Sequence, residues 1–421
     1  MLTFKKIWKI RELRLSIFFV LMMLVIFRLA AHIPVPGVDA SALSSLFDTN
    51  QFFGLLNIFA GGTMDNFSVV ALGVAPYITA SIIFQLLAMI VPKLEEMQKE
   101  EATRQKITQW TRYATVPLAF LQGYGLIALL KQQGGALGFD IAGLDLVNAL
   151  IVMTAGTVFL MWLGELISER KIGNGLSIMI FAGILAGLPS FFQRTFVTFD
   201  MSQLFIMILF AAITIFTIVA VVVMNEGQRN IPVQYARRVR GSGSLGGSAS
   251  YLPLRVNMAG VIPIIFAISI VLFPTMVAQF FMAANSEFLQ QAAVIINQIF
   301  QNQLFYGISY FVLVFGFTYF YTAVVFHPDR IAENLQKQGG FVPGIRPGVP
   351  TADYLGWVSN RILFAGATFL ALIAVLPLIV QQATGTTTMV IGGTSILIVV
   401  SVIIDIIKQI EGQVAMREYD Y

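Results

Sequence analysis

The residue types that most often carry chemistry are scarce in this chain. It has no cysteine, which excludes thiolate catalysis, iron–sulfur ligation and disulfides. Its two histidines, His32 and His327, fall at the ends of apolar segments on opposite sides of a predicted membrane, so they are not expected to share a metal. Neither H-E-x-x-H nor the G-x-G-D motif of intramembrane proteases occurs. We therefore expect no enzyme, no metal site and no cofactor.

Apolar residues dominate instead and predict an all-α polytopic membrane protein. The chain is 57% hydrophobic and 11% charged, with a mean hydropathy of +0.80. A helix needs about 20 mainly apolar residues to cross a bilayer. Ten segments meet this requirement: 15–31, 68–92, 113–130, 147–167, 176–193, 203–224, 257–282, 304–326, 361–380 and 388–407.

Basic residues predict the orientation of these ten spans. All but three of the 26 Lys and Arg residues fall on one side of the membrane, the exceptions being Arg28, Lys131 and Arg194. Positive residues concentrate on the cytoplasmic side. Both termini are therefore expected in the cytoplasm, which agrees with an even number of spans.

Two long cytoplasmic loops carry most of the remaining polar sequence. Residues 225–256 alternate in a way that predicts a protruding β-hairpin, whose tip at 241–250 is a Gly/Ser-rich linker. Residues 327–360 contain FVPGIRPGVP, in which prolines and glycines predict fixed turns around Arg346. On the outer side, 132–146 and 283–303 are interpreted as polar connectors.

One apolar segment is too short to cross the membrane. Asn57 to Phe67 contains two glycines, Asp65 and Asn66, and runs without a loop into the second span. Irregular backbone at membrane depth is tolerated only against protein or a water-filled cavity. This segment therefore predicts a protein interior that contains a cavity.

A short motif occurs twice, in spans of opposite direction. Residues 73–78 read GVAPYI and residues 260–265 read GVIPII, so both match G-V-x-P-x-I. Related elements five spans apart and reversed in direction indicate an inverted repeat. It predicts a cavity between an N-terminal half, 1–193, and a C-terminal half, 194–421.

These features together resemble the SecY family of protein-conducting channels. The motifs are GVAPYITASIIFQLL, WLGELISERKIGNGLSIMIFAGI, IPVQYARR, YLPLRVNMAGVIPIIFA, FVPGIRPG and GGTSILIVV. The likeness extends over essentially all of the chain and departs from the family pattern at 241–250. It implies ten helices in two inverted pseudo-symmetric halves around a central pore. The implied function is translocation of unfolded polypeptides across the bacterial cytoplasmic membrane and their sideways release into lipid.

The resemblance also implies particular site residues. The plug, which closes an idle channel, comprises Asn57, Ile58, Phe59, Ala60, Gly61, Gly62, Thr63, Met64, Asp65, Asn66 and Phe67. The pore ring comprises Val74, Ile78, Ile180, Ile184, Ile265 and Ile398. The lateral gate lies between spans two and three on one side and seven and eight on the other, with Thr79, Gln85 and Gln122. We expect the two glutamines to form hydrogen bonds between helices.

The implied partners are SecE and SecG subunits, the SecA motor, the ribosome, signal sequences and membrane lipid. Arg255 and Arg346 are the expected docking residues on the cytoplasmic loops, since arginine pairs in a bidentate manner with carboxylate or phosphate. The alternative is a secondary transporter, which shares inverted repeats and broken helices. A transporter would be expected to place ionisable groups at the midplane, and the spans contain few.

Overall fold

The computed structural model describes residues 8, 10–36, 60, 63–64, 67–99, 101–134, 143–197, 204–235, 250–282, 286–384 and 388–418. Most of them are helical. The helices are α1 (Arg11–Ala31), α2 (Ala75–Ile90), α3 (Pro92–Lys99), α4 (Glu101–Gly134), α5 (Leu144–Glu169), α6 (Gly175–Val197), α7 (Leu204–Glu226), α8 (Ile262–Met282), α9 (Glu287–Gln301), α10 (Gln303–Val325), α11 (Pro328–Lys337), α12 (Val349–Thr384) and α13 (Thr388–Glu418). The strands are β1 (Gln228–Tyr235), β2 (Ser250–Arg255) and β3 (Gly340–Phe341).

Each of the ten predicted spans overlaps one of these helices. By length and composition, five of the described helices can cross a bilayer, and a sixth is added if α2 and α3, which meet at 115°, form one bent span. The multi-pass character is confirmed, while the count of ten remains a prediction. Two predicted starts were too early, because α2 begins at Ala75 and α8 at Ile262. The connector 283–303 is also not a simple loop, since it contains α9.

Large apolar side chains point outward on several helices. On α1, Leu15 and Leu29 are more than half exposed, and on α7 the same holds for Phe205 and Phe216. A soluble monomer rarely exposes such continuous apolar surface. These faces suit contact with lipid or with partner helices.

The helices pack as two groups that meet along two lines. In the first group α1 packs on α5 and α6, and α4 packs on α2 and α5. In the second group α10 packs on α8 and α12, and α13 packs on α7 and α12. The groups meet where α8 contacts α2 and α4, and again where α13 contacts α6. One continuous cluster of buried hydrophobic side chains fills the space between them.

The two long loops that are predicted to be cytoplasmic form a single small sheet. β1 pairs with β2 in antiparallel register, which confirms the predicted hairpin, and its end pairs with β3 from the other loop. Ile231, Leu254, Val342, Leu355 and Val358 form a second hydrophobic cluster beneath this sheet. The sequence did not predict that the two loops join. The hairpin tip at 241–250 lies outside the described residues, except for Ser250.

Candidate functional site

The described part of the predicted plug is buried in the interior. Ala60, Thr63, Met64 and Phe67 are each at most 3% exposed. Thr63 Oγ1 donates a hydrogen bond to the carbonyl oxygen of Val70, at 2.9 Å. The other plug residues, Asn57, Ile58, Phe59, Gly61, Gly62, Asp65 and Asn66, lie outside the described residues. A short polar anchor and apolar contacts therefore hold the described part in place.

The stretch just before α2 forms turns, although its hydropathy predicts helix. The Val35 amide donates to the Phe67 carbonyl at 3.0 Å, and the Val69 amide donates to the Ile33 carbonyl at 2.9 Å. On the other side, a Cβ atom at Gly156 of α5 would collide with the Val69 carbonyl oxygen. Backbone bonds to the segment after α1 and close packing on α5 thus replace helical bonding here.

The two copies of G-V-x-P-x-I have the same local structure. Gly73 and Gly260 have φ values of +57° and +63°, in the left-handed region that favours glycine. In each copy the helix begins two residues later, and its second residue is proline. The amides of Ile78 and Ile265 then donate to the carbonyl oxygen four residues earlier, at 3.1 and 3.3 Å. The repeat inferred from six letters is thus a repeated helix-starting turn.

All six residues implied as the pore ring are buried in the central cluster. They come from four helix segments and are 1 to 7% exposed. They are Val74, Ile78, Ile180, Ile184, Ile265 and Ile398. The first contact line between the groups carries α2 and α8, and the second carries α6 and α13. The structure therefore supplies aliphatic ring candidates at both lines, while their role as a ring remains a prediction.

A small cavity of about 50 Å³ adjoins three of these helices at their predicted cytoplasmic ends. Its lining includes Ser177, Ile262 and Val402, each about one helical turn from a ring candidate on the same helix. Asn174 and Asp405 add polar atoms to the lining. This geometry suits the inner end of a pore. No cluster of His, Asp or Glu able to hold a metal occurs among the described residues.

The gate residues form one bond between helices and one within a helix. Gln122 Nε2 on α4 lies 3.3 Å from Thr79 Oγ1 on α2, and both side chains are buried. The expectation for Gln85 was wrong, because its amide bonds to Ser81 within α2, at 2.9 Å. Among the residues that the structure describes, the buried side-chain oxygens of Gln85 and Gln122 have no hydrogen-bond partner. The Gln122–Thr79 bond therefore links two helices on the same side of the predicted gate and does not cross it.

Arg346 lies in the turn segment between β3 and α12. Gly344 and Gly348 on either side have φ values of +84° and +95°, and Thr351 Oγ1 donates to the Arg346 carbonyl at 2.8 Å. The Arg346 side chain is exposed. Within the described residues, no carboxylate forms an ion pair with it. The turn predicted from Pro and Gly spacing is thus present and displays an available cation.

The other docking candidate has an internal electrostatic partner. Arg255 is exposed at the end of β2 but interacts electrostatically with Asp405 of α13. Beside the Arg346 turn, Lys337 hydrogen-bonds to Glu333, with Nζ and Oε1 2.7 Å apart, and this contact lowers the pKa of the Glu333 carboxyl. Arg346 is therefore the better candidate for recognising an external anion.

A buried polar network at the base of the hairpin was missed by sequence reasoning. Asn257 Nδ2 donates to Asn225 Oδ1 at 2.6 Å, and Asn225 Nδ2 donates to Ser401 Oγ at 3.2 Å. Lys408 Nζ donates to the Asn225 carbonyl at 2.6 Å. Asn257 Oδ1 also accepts from the Gly260 amide at 3.0 Å. The network thus ties the hairpin to α13 and to the turn that starts α8.

Comparison with known proteins gives the family. A model of the SecY family matches residues 68–407. This chain belongs to the SecY family. It is 43% identical to the protein translocase subunit SecY of Corynebacterium glutamicum, covering 98% of both chains. It is 44% identical to the subunit of the same name from Halalkalibacterium halodurans, covering 99% of this chain and 98% of the relative.

Solved structures share the SecY-family fold. A structure described as a protein conducting channel matches with a TM-score of 0.63 at 18% identity, over 94% of this chain and 91% of the other. Canine Sec61, in a ribosome-channel complex from the endoplasmic reticulum, matches with a TM-score of 0.62 at 17% identity, over the same shares. At such identities the likeness concerns the fold, and it confirms the predicted fold class.

Proposed function

We propose that this chain is the channel subunit of a protein translocase. It passes unfolded secretory polypeptides across the bacterial cytoplasmic membrane and releases membrane segments sideways into lipid. The observation that carries the proposal is the interior, where buried aliphatic side chains from four helices belong to one hydrophobic cluster along the contacts between two groups of helices. Whole-length relatives named protein translocase subunit SecY support the same function.

An aliphatic ring suits a channel for polypeptides of arbitrary sequence. Branched side chains fit around varied residues and add no polar group that would hold the passing chain. A narrow apolar constriction also dewets, so it resists ion leakage. Val74, Ile78, Ile180, Ile184, Ile265 and Ile398 form this ring in our proposal.

Residues 57–67 act as a movable plug. The described part has few hydrogen bonds to its surroundings: Thr63 Oγ1 donates to the Val70 carbonyl, Ser68 Oγ donates to the Thr63 carbonyl, and the Val35 amide donates to the Phe67 carbonyl. A typical hydrogen bond contributes only about 0.5–1.5 kcal/mol net. The plug can therefore leave without disrupting the helices, and a translocating chain replaces its apolar contacts.

The lateral gate opens along the contact of α8 with α2 and α4. Thr79 and Gln122 strengthen the α2–α4 wall, so opening separates α8 from an intact pair of helices. A signal sequence can then enter the opening between α8 and the α2–α4 pair and move from there into lipid. Gln85 lies on the same wall in this proposal. Its side-chain oxygen has no hydrogen-bond partner among the described residues, so it can accept a hydrogen bond from a polar group that enters when the gate opens.

The cytoplasmic sheet is the docking surface. Arg346 is its principal cation and Arg255 is secondary. SecA and the ribosome are the partners, since the first presents carboxylates and the second RNA phosphates, and arginine binds either in a bidentate manner. SecE and SecG complete the complex in the membrane, and both termini of this chain face the cytoplasm.

A reconstitution experiment tests the proposed function. The chain with its partner subunits is placed in liposomes, and SecA-driven entry of a secretory polypeptide is measured as protection from external protease. Polypeptide entry is expected, and deletion of 57–67 is expected to raise resting ion conductance while some entry persists. Transport of a small solute without polypeptide would contradict the proposal and favour a secondary transporter. Unchanged resting conductance would contradict the plug alone.

A further inference from the structure

A groove between α10 and α12 lies outside the channel interior. Its volume is about 410 Å³, and it is lined by Tyr319, Trp357, Asn360, Arg361 and Phe364. Arg361 begins the ninth predicted span, and Tyr319 lies near the end of the eighth. By the predicted spans and orientation, the groove lies where the cytoplasmic leaflet meets water.

The groove contains a cation whose charge is available. The Arg361 guanidinium carbon lies 4.0 Å from the centre of the Trp357 ring, which fixes the direction of the side chain. Within the described part of the chain, no carboxylate lies within ion-pair distance of Arg361. By contrast, Arg112 on α4 pairs with Glu165, with Nε and Oε1 2.8 Å apart. Arg361 can thus accept an external anion without breaking an internal pair.

The surroundings of Arg361 suit the rest of a phospholipid. Tyr354 stacks on Trp357, and paired aromatic rings of this kind sit at the level of lipid headgroups. Phe364 packs edge-on against Phe315 of α10 and is 59% exposed. Further along α10, Val312 is 58% exposed. The groove therefore continues from a cation through aromatic rings to an apolar surface that faces lipid.

We propose that this groove binds an anionic phospholipid of the cytoplasmic leaflet. Arg361 and Asn360 hold the phosphate, Trp357 fixes Arg361, and an acyl chain lies along Phe364. Basic sites between helices on the cytoplasmic side are known to select anionic headgroups. The site is independent of the ring, the plug and the docking turn, so it goes beyond the proposed channel function.

The groove supplies its own reporter. Trp8, Trp110 and Trp162 are replaced by phenylalanine, and the full chain with its partner subunits is placed in nanodiscs that contain brominated phosphatidylglycerol or brominated phosphatidylcholine. Quenching of Trp357 measures which lipid is adjacent. Phosphatidylglycerol is expected to be enriched about five-fold, as one basic residue attracts an anionic lipid by roughly that factor. Added inorganic phosphate should leave the enrichment unchanged.

Two variants in the same background make the result specific. Arg361→Gln should abolish the preference for phosphatidylglycerol. Arg112→Gln should keep the preference, because Arg112 already forms an ion pair with Glu165. Equal quenching by both lipids before any arginine is changed would overturn the proposal. So would a preference retained by Arg361→Gln, or quenching by neither lipid, which would mean that a partner subunit covers the groove.

Discussion

Replacement of Gly73 by alanine should unseat the plug. A Cβ atom at this position would lie 2.6 Å from Ala60 Cα and 2.7 Å from its carbonyl oxygen. Both contacts involve backbone, so either Ala60 or the start of α2 must move. Overpacking of this kind costs about 1–3 kcal/mol. If displacement of the plug relieves the clash, the closed-to-open ratio falls by about 5- to 150-fold, since about 1.4 kcal/mol is tenfold.

The repeat provides a matched control for Gly73→Ala. Gly260 has nearly the same φ, so both variants bear a left-handed strain of about 1–2 kcal/mol. Of the described residues, however, the Gly260 Cβ atom would meet only the flexible Asp405 side chain, with Oδ2 at 3.2 Å. Resting conductance in planar bilayers should therefore rise strongly for Gly73→Ala and little for Gly260→Ala. Equal conductance of the two variants, at equal membrane abundance, would refute the reasoning.

Three further predictions concern the gate, the polar network and the docking turn. Gln122→Leu removes a buried amide whose oxygen has no hydrogen-bond partner among the described residues, so the closed gate should become more stable. Export of a reporter with a weakened signal sequence should therefore fall. Unchanged export would leave Gln122 with a packing role only. Asn257→Ala loses its bond to Asn225 and should lower the stability of the purified chain by about 1–3 kcal/mol in thermal unfolding, and a loss near zero would contradict the network. Arg346→Lys preserves charge but not bidentate pairing, so SecA-driven translocation should weaken at normal membrane abundance, and Arg346→Glu should be more severe. Normal transport by both Arg346 variants would rule out docking there.

Local features were predictable from the sequence where one residue type dictates one geometry. The two copies of G-V-x-P-x-I predicted an inverted repeat, and both copies have the same local structure, although their glycine turns and helix starts were not predicted. The strand alternation in 225–256 predicted the hairpin, and the glycines around Arg346 predicted its turn. Apolar runs predicted the helices, because hydropathy decides burial in lipid.

Features that depend on long-range pairing were not predictable. Residues before α2 are apolar enough for helix, but hydrogen bonds to the segment after α1 compete successfully for their backbone. The Asn225–Ser401 bond joins residues 176 positions apart, and the sequence does not say which polar groups meet. Similarly, β3 has only two residues, which is too short for an alternating strand pattern to predict that it pairs with β1. Gln85 found a partner within its own helix, which spacing alone could not decide.

Photo-crosslinking of a stalled secretory polypeptide tests the central claim most directly. A photoreactive residue is placed at Ile398, which is 1% exposed in the interior, or at Ile403 on the same helix, which is 39% exposed. If the polypeptide passes through the aliphatic ring, it should crosslink to position 398 and not to position 403. Crosslinking from position 403 with none from position 398 would contradict a central pore.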